Sequence, residues 1–156
     1  MAWQWWLLVH LTGVLVFVGA HGVSMFVMFR IRGERDRQRI AELITFSGTT
    51  TRPMYIGLAI LTVGGVGAGL TLHLFSQWWL WISIGILLIT IGLMSGLAKP
   101  YFRRITASCE IRPSGVPRVS DEELEQLLRS GEATAISVIG LVGLLSILYL
   151  MLFKPF

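Results

Sequence analysis

Apolar residues run along this chain in three uncharged blocks, 1–29, 53–98 and 133–153, and every Lys, Arg, Asp and Glu lies between them or at Lys154. A helix rises 1.5 Å per residue, so crossing the hydrocarbon of a bilayer takes roughly 20 apolar residues. The first and last blocks hold one span each. The middle block is long enough for two, and the only place where polar residues cluster with a turn signal is Thr71, His73, Ser76 and Gln77. The pattern predicts an all-α protein, a four-helix transmembrane bundle forming one integral membrane domain over 1–156. Its helices fall at about 3–29, 55–73, 78–98 and 135–153, with polar loops at 30–52 and 99–132.

The loops carry most of the remaining information. Arg30, Arg32, Arg35, Arg37, Arg39 and Arg52 lie in the first, and Lys99, Arg103, Arg104, Arg112, Arg118 and Arg129 in the third. The positive-inside rule places both in the cytoplasm and both termini on the other side. All six Trp, at 3, 5, 6, 78, 79 and 81, then fall on the opposite face as an interfacial belt. In the first loop, mixed charges at helical spacing predict a continuation of helix 1 or a short helix along the headgroups, broken before Pro53. In the third, Ser120-Asp-Glu-Glu123 has the spacing of a capping box. A short amphipathic cytoplasmic helix is expected over about 121–129, with Leu124, Leu127 and Leu128 free to rest on the membrane or on a partner.

At 14% charged residues the chain is well below the quarter usual in soluble domains. Its net charge of +4 comes from span-flanking arginines, and so reports topology and anionic lipid, not nucleic acid. The first span lacks a basic n-region and a small-residue cleavage site, so it is expected to remain in the mature protein. Cys109 is the only cysteine, which excludes an intramolecular disulfide. Gly65 and Gly69 in the second span, and Gly92 and Gly96 in the third, have the small-xxx-small spacing that lets helices approach closely. Either pair can serve the bundle itself, a homo-oligomer or a larger membrane complex.

Three histidines are the candidate chemistry, because an imidazole in a span is costly unless it is used or paired. His10 and His73 lie toward the outer ends of helices 1 and 2. His21 is eleven residues after His10, so it sits roughly 16 Å deeper on nearly the same helix face. Imidazole ligates haem iron, and helix bundles house cofactors between facing helices, so His10 is a candidate axial ligand of a b-type haem, with His73 or His21 as a possible second. The plainer reading of His10 is a polar side chain bonded to a neighbouring backbone or to Thr12 or Thr71; that of His73 is an interfacial residue in water. Separately, His21, Met25 and Met28 share one face of helix 1, with Met54 and Met94 expected at similar depth on helices 2 and 3. Imidazole with thioethers is a ligand set for monovalent copper, although methionine is also the adaptable filler of apolar cores. No span holds an acidic residue, and no nucleotide, zincin or serine-elbow motif occurs, so catalysis is the less favoured expectation.

The stretch Trp5-Trp-Leu-Leu-Val-His10-Leu-Thr-Gly-Val-Leu-Val-Phe-Val-Gly19 resembles the first helix of a loose group of small bacterial membrane proteins. That group includes CopD copper-resistance domains, HemJ-type protoporphyrinogen oxidases and a branch of predicted integral membrane proteins without an assigned role. The four-span layout, the basic first loop and Leu61-Thr-Val-Gly-Gly-Val-Gly-Ala-Gly-Leu70 are most similar to that last branch. The HemJ likeness implies haem ligation by His10, but the functional lysine of helix 3 in those proteins has no counterpart in Trp78-Trp-Leu-Trp-Ile-Ser83. The CopD likeness implies copper handling. The resemblance thus implies a protein of the bacterial cytoplasmic (inner) membrane. Three roles stand open: b-haem redox chemistry, a non-catalytic accessory subunit of a membrane complex, and copper handling.

Overall fold

A computed structural model describes residues 2–155 of the chain, and the described residues are helical apart from short turns. Helix α1 is Ala2–Arg30, α2 Arg37–Thr49, α3 Thr51–Thr71, α4 Trp78–Cys109, α5 Asp121–Arg129 and α6 Glu132–Phe153. α1, α3, α4 and α6 each contain a stretch long and apolar enough to cross a membrane, so the chain is a multi-pass membrane protein. Within the most apolar window of α4, only 6% of residues are buried by the chain itself, which leaves lipid to cover the rest.

α1 and α3 form the tightest seam, and glycines make it. A methyl group at Gly13 would fall 2.2 Å from the Leu61 backbone nitrogen, one at Gly57 2.6 Å from that of Phe17, and one at Gly64 2.3 Å from that of His10. Only hydrogen fits at these crossings, so the backbones touch in a regular antiparallel register. The register continues inward to the hydroxyls of Ser24, Ser47 and Thr50, which bond one another, and outward to Gly67 under the Trp6 ring. α4 and α6 pair more loosely, with Thr90 against Gly143. α3 and α4 barely touch below their connecting turn, so the bundle is two helix pairs with a cleft between them.

The pairs are joined at the arginine end. There Val27, Met28, Ile31, Ile40, Tyr101, Ile105, Leu124, Leu128 and Ile136 form one buried core. Arg37 crosses the boundary, donating to the Ser108 and Val119 carbonyls at 2.8 and 2.9 Å and pairing with Asp121 at 2.6 Å. Arg32 crosses it too, donating to the Arg129 carbonyl and to Thr134. Glu34 accepts from two backbone amides and faces Arg39 and Arg30, which holds its carboxyl below the usual value. The six Trp gather at the opposite end, where Trp5 and Trp78 are exposed as a belt requires, but Trp79 is buried beneath Lys154.

Several elements differ from the sequence expectation. Of the two readings of the first loop, the short separate helix holds and the continuation of α1 does not: a 3-10 turn at Ile31–Gly33 ends α1, and the Asp36 side chain caps α2 by accepting from the Gln38 and Arg39 amides. Pro53 does not delay the next helix, because it falls in the first turn of α3, where its missing N–H is not needed. α4 does not stop near residue 98 but passes through Pro100 to Cys109. Proline costs one backbone bond there, and the continued helix buries Tyr101, Ile105 and Cys109 at four-residue spacing in the core. α5 carries the expected capping box, with Glu123 N–H donating to Ser120 Oγ at 3.1 Å and Ser120 N–H to Glu123 Oε2 at 3.2 Å. Its Leu124 and Leu128 pack into the chain's own core.

Candidate metal centre

The cleft between the helix pairs is organised around His21. Its ring stacks parallel on Phe17, one turn earlier, at 5.9 Å between centroids, and its Nε2 faces α6 at Gly140. Because Met25 and Met28 follow at i+4 and i+7, α1 places both thioethers on the same side. Met54 enters from the first turn of α3, and Met94 from the middle of α4. α6 closes the far wall at Gly140, where a methyl group would lie 3.5 Å from His21 Nε2 and 3.6 Å from Met94 Sδ. The ring nitrogen and the thioether sulfur therefore flank one small volume that glycine keeps open.

Two lobes meet at this point. A cavity of about 280 Å³ runs toward the tryptophan end between Leu58, Leu87, Ile91, Leu144 and Ile147. A second, of about 160 Å³, runs toward the arginine end past Ser24, Thr51, Ser95 and Ser137 to Lys99. His21, Met25, Met54 and Met94 line both, and Met28 lines the second. All five soft donors singled out on helices 1 to 3 are thus brought to one cleft.

The other histidines are elsewhere. His10 Nδ1 donates to the Leu61 carbonyl at 2.7 Å across the α1–α3 seam, and Gly65 accommodates its ring. The carbonyl can only accept, so Nδ1 carries a proton. Neither lobe of the cleft is lined by His10. His73 is exposed in the turn after α3, with φ of 54°, a left-handed conformation. It lies nine residues beyond Gly64, the partner of His10, which is roughly 13 Å along the axis. His10 and His73 are therefore not brought together. Gly65 packs on His10 and Gly69 on Phe75, within the chain, whereas Gly92 and Gly96 face open space.

Sequence reasoning missed Gly140 and the vestibule of Thr51, Ser95, Ser137 and Lys99. Nothing in the pattern of α6 marks which side meets the cleft, since the span is apolar all round. Among the described residues no three of His, Cys, Asp and Glu converge. Comparison of the chain with family models, with curated proteins and with solved structures found no match.

Proposed function

We propose that this chain is a copper-handling protein of the bacterial cytoplasmic membrane, with both termini on the non-cytoplasmic side, that holds one cuprous ion in the cleft between its helix pairs. The observation that supports this most is the company of His21: the three thioethers of Met25, Met54 and Met94, from α1, α3 and α4, line both lobes together with the one imidazole, beside Gly140. Neutral nitrogen and sulfur donors suit a soft monovalent cation, and a harder divalent ion would want carboxylates that the cleft lacks. His21 Nε2 and Met94 Sδ are the central ligands, with Met25 and Met54 completing the set and Met28 beside it. The role is binding and transfer of the ion as cargo.

The apolar lobe favours one alternative occupant. A b-type haem would be held by His21, not by His10, with Leu58 and Leu144 offering apolar contact and Lys99 a partner for its carboxylates. When bound it would supply one-electron chemistry.

One preparation separates the two. Protein extracted in mild detergent and loaded with copper under ascorbate should retain about one equivalent through gel filtration, with no absorption in the Soret region. His21→Ala and Met94→Leu should lose the ion, Met25→Leu should weaken it, and Met151→Leu should keep it. Equal retention by His21→Ala would remove copper from this cleft. A Soret band lost in His21→Ala would give the cleft to haem.

A further inference from the structure

The two lobes of the cleft differ in a way that bears on how an ion reaches His21. Toward the tryptophan end Thr90 is the one hydroxyl not shared with the other lobe, and the walls are otherwise mainly Leu58, Leu87, Ile91, Leu144 and Ile147, which offer a desolvated cation nothing. Ser95 and Ser137 line both lobes; toward the arginine end the hydroxyls of Ser24 and Thr51 join them, and the lobe ends at Lys99. Among the described residues no carboxylate lines this vestibule. The ion pairs of the arginine end account for Arg30, Arg37, Arg39, Arg104, Arg118 and Arg129. Arg52 adjoins the vestibule residue Thr51, and Arg103 is one helical turn from Lys99; these two and Lys99 are in none of those pairs. The polar entrance to a cation site is thus itself positively charged.

A bare cation is repelled from such an entrance, and an anion is drawn to it. Resting on the copper reading above, we propose that the site loads from the arginine end and takes its ion from an anionic cuprous thiolate complex, which Lys99 receives. The transfer is ligand exchange without redox change. The copper–sulfur bonds to the carrier thiolates break and bonds to His21 Nε2 and the methionine sulfurs form; the thiolates depart with their negative charge. Lys99 holds the departing anion and does not touch the bound ion, so it is a positioning residue for delivery.

The test compares two donors, cuprous glutathione, which is anionic, and tetrakis(acetonitrile) copper(I), which is cationic. Timed desalting of detergent-solubilised protein, followed by copper assay, gives loading rates. Lys99→Glu should slow loading from the anionic donor on the order of tenfold, and leave the cationic donor unslowed or faster. Lys99→Arg should behave as wild type, and the wild-type advantage should shrink in high salt as charges are screened. The copper retained at equilibrium should be the same in all three proteins. In proteoliposomes, only molecules with the arginine end outward should load promptly. Equal slowing of both donors, no slowing of either, or equal loading from both faces would overturn the inference while leaving the copper site standing. Wild-type protein that retains no copper would overturn both.

Discussion

The glycine seam between α1 and α3 permits a quantitative test through Gly64→Ala. The added methyl carbon would stand 2.3 Å from His10 N, 2.7 Å from His10 Cα and 2.9 Å from the Val9 carbonyl carbon, all of them backbone atoms with no rotamer to escape into. Carbon contacts settle near 3.5–4.0 Å, so the helices must part locally by roughly 1 Å or more. A shift of that size stretches the 2.7 Å bond from His10 Nδ1 to the Leu61 carbonyl out of hydrogen-bonding range. Overpacking of this kind costs about 1–3 kcal/mol, the lost hydrogen bond about 1, and alanine returns up to about 1 through helix propensity. The net destabilisation expected is about 2 kcal/mol. Reversible unfolding in mixed micelles with increasing sodium dodecyl sulfate, followed by tryptophan emission, measures it. Gly92→Ala and Gly96→Ala are the matched controls, since a methyl group at either meets nothing within 4 Å, and each should be no less stable than wild type, gaining up to about 1 kcal/mol through helix propensity. A Gly64→Ala protein as stable as wild type, or a Gly92→Ala protein equally damaged, would refute the packing argument.

Arg37→Ala should cost about 3 kcal/mol, since it removes a nearly buried charge from two carbonyls and Asp121; limited proteolysis should then cut faster within 110–120. Leu128→Ala, at a site 2% exposed in the same core, should cost about 2–5 kcal/mol in the same micelle titration. Ser120→Ala should cost about 1 kcal/mol by opening the capping box of α5, and Ser120→Asp should recover most of it. For topology, a cysteine placed at Ser114 should be labelled by an impermeant maleimide only from the cytoplasmic face, and one at Gln77 only from the other; labelling of both from one face would contradict the two-sided arrangement.

The spans were legible because charge is excluded from hydrocarbon, and the break at residues 71–78 because nowhere else in block 53–98 do polar residues cluster with a turn signal. The capping box was legible because it is a local hydrogen-bond pattern. The end of α4 was not, since the loss of apolar sequence near residue 98 marks the edge of the lipid, while the helix continues in water as long as Tyr101, Ile105 and Cys109 find a core. The fate of the glycine motifs was equally hidden. Gly65-x3-Gly69 and Gly92-x3-Gly96 are alike as sequence, yet the first packs within the chain and the second faces outward. A span apolar on every side carries no periodic signal of which side meets a neighbour.

That same blindness leaves His10 and His21 indistinguishable in the sequence. Both are single imidazoles on one face of α1, and sequence cannot say which has space beside it. The register of the α1–α3 seam decides the matter. Where glycines bring the backbones together, at Gly13 and Gly64, the His10 ring is held between the helices and spends its Nδ1 proton on Leu61. Below the last of these crossings, at Gly57 against Phe17, the α1 face bearing His21 is left to α4 and α6, which are tied to the first pair chiefly at the arginine end. A cleft is the consequence of joining two helix pairs at their ends, by the core at the arginine end and the α3–α4 turn at the other, and hardly at all between. It forms at the depth where His21 and the methionines of three helices coincide, and it is there that a bound ion or cofactor has room.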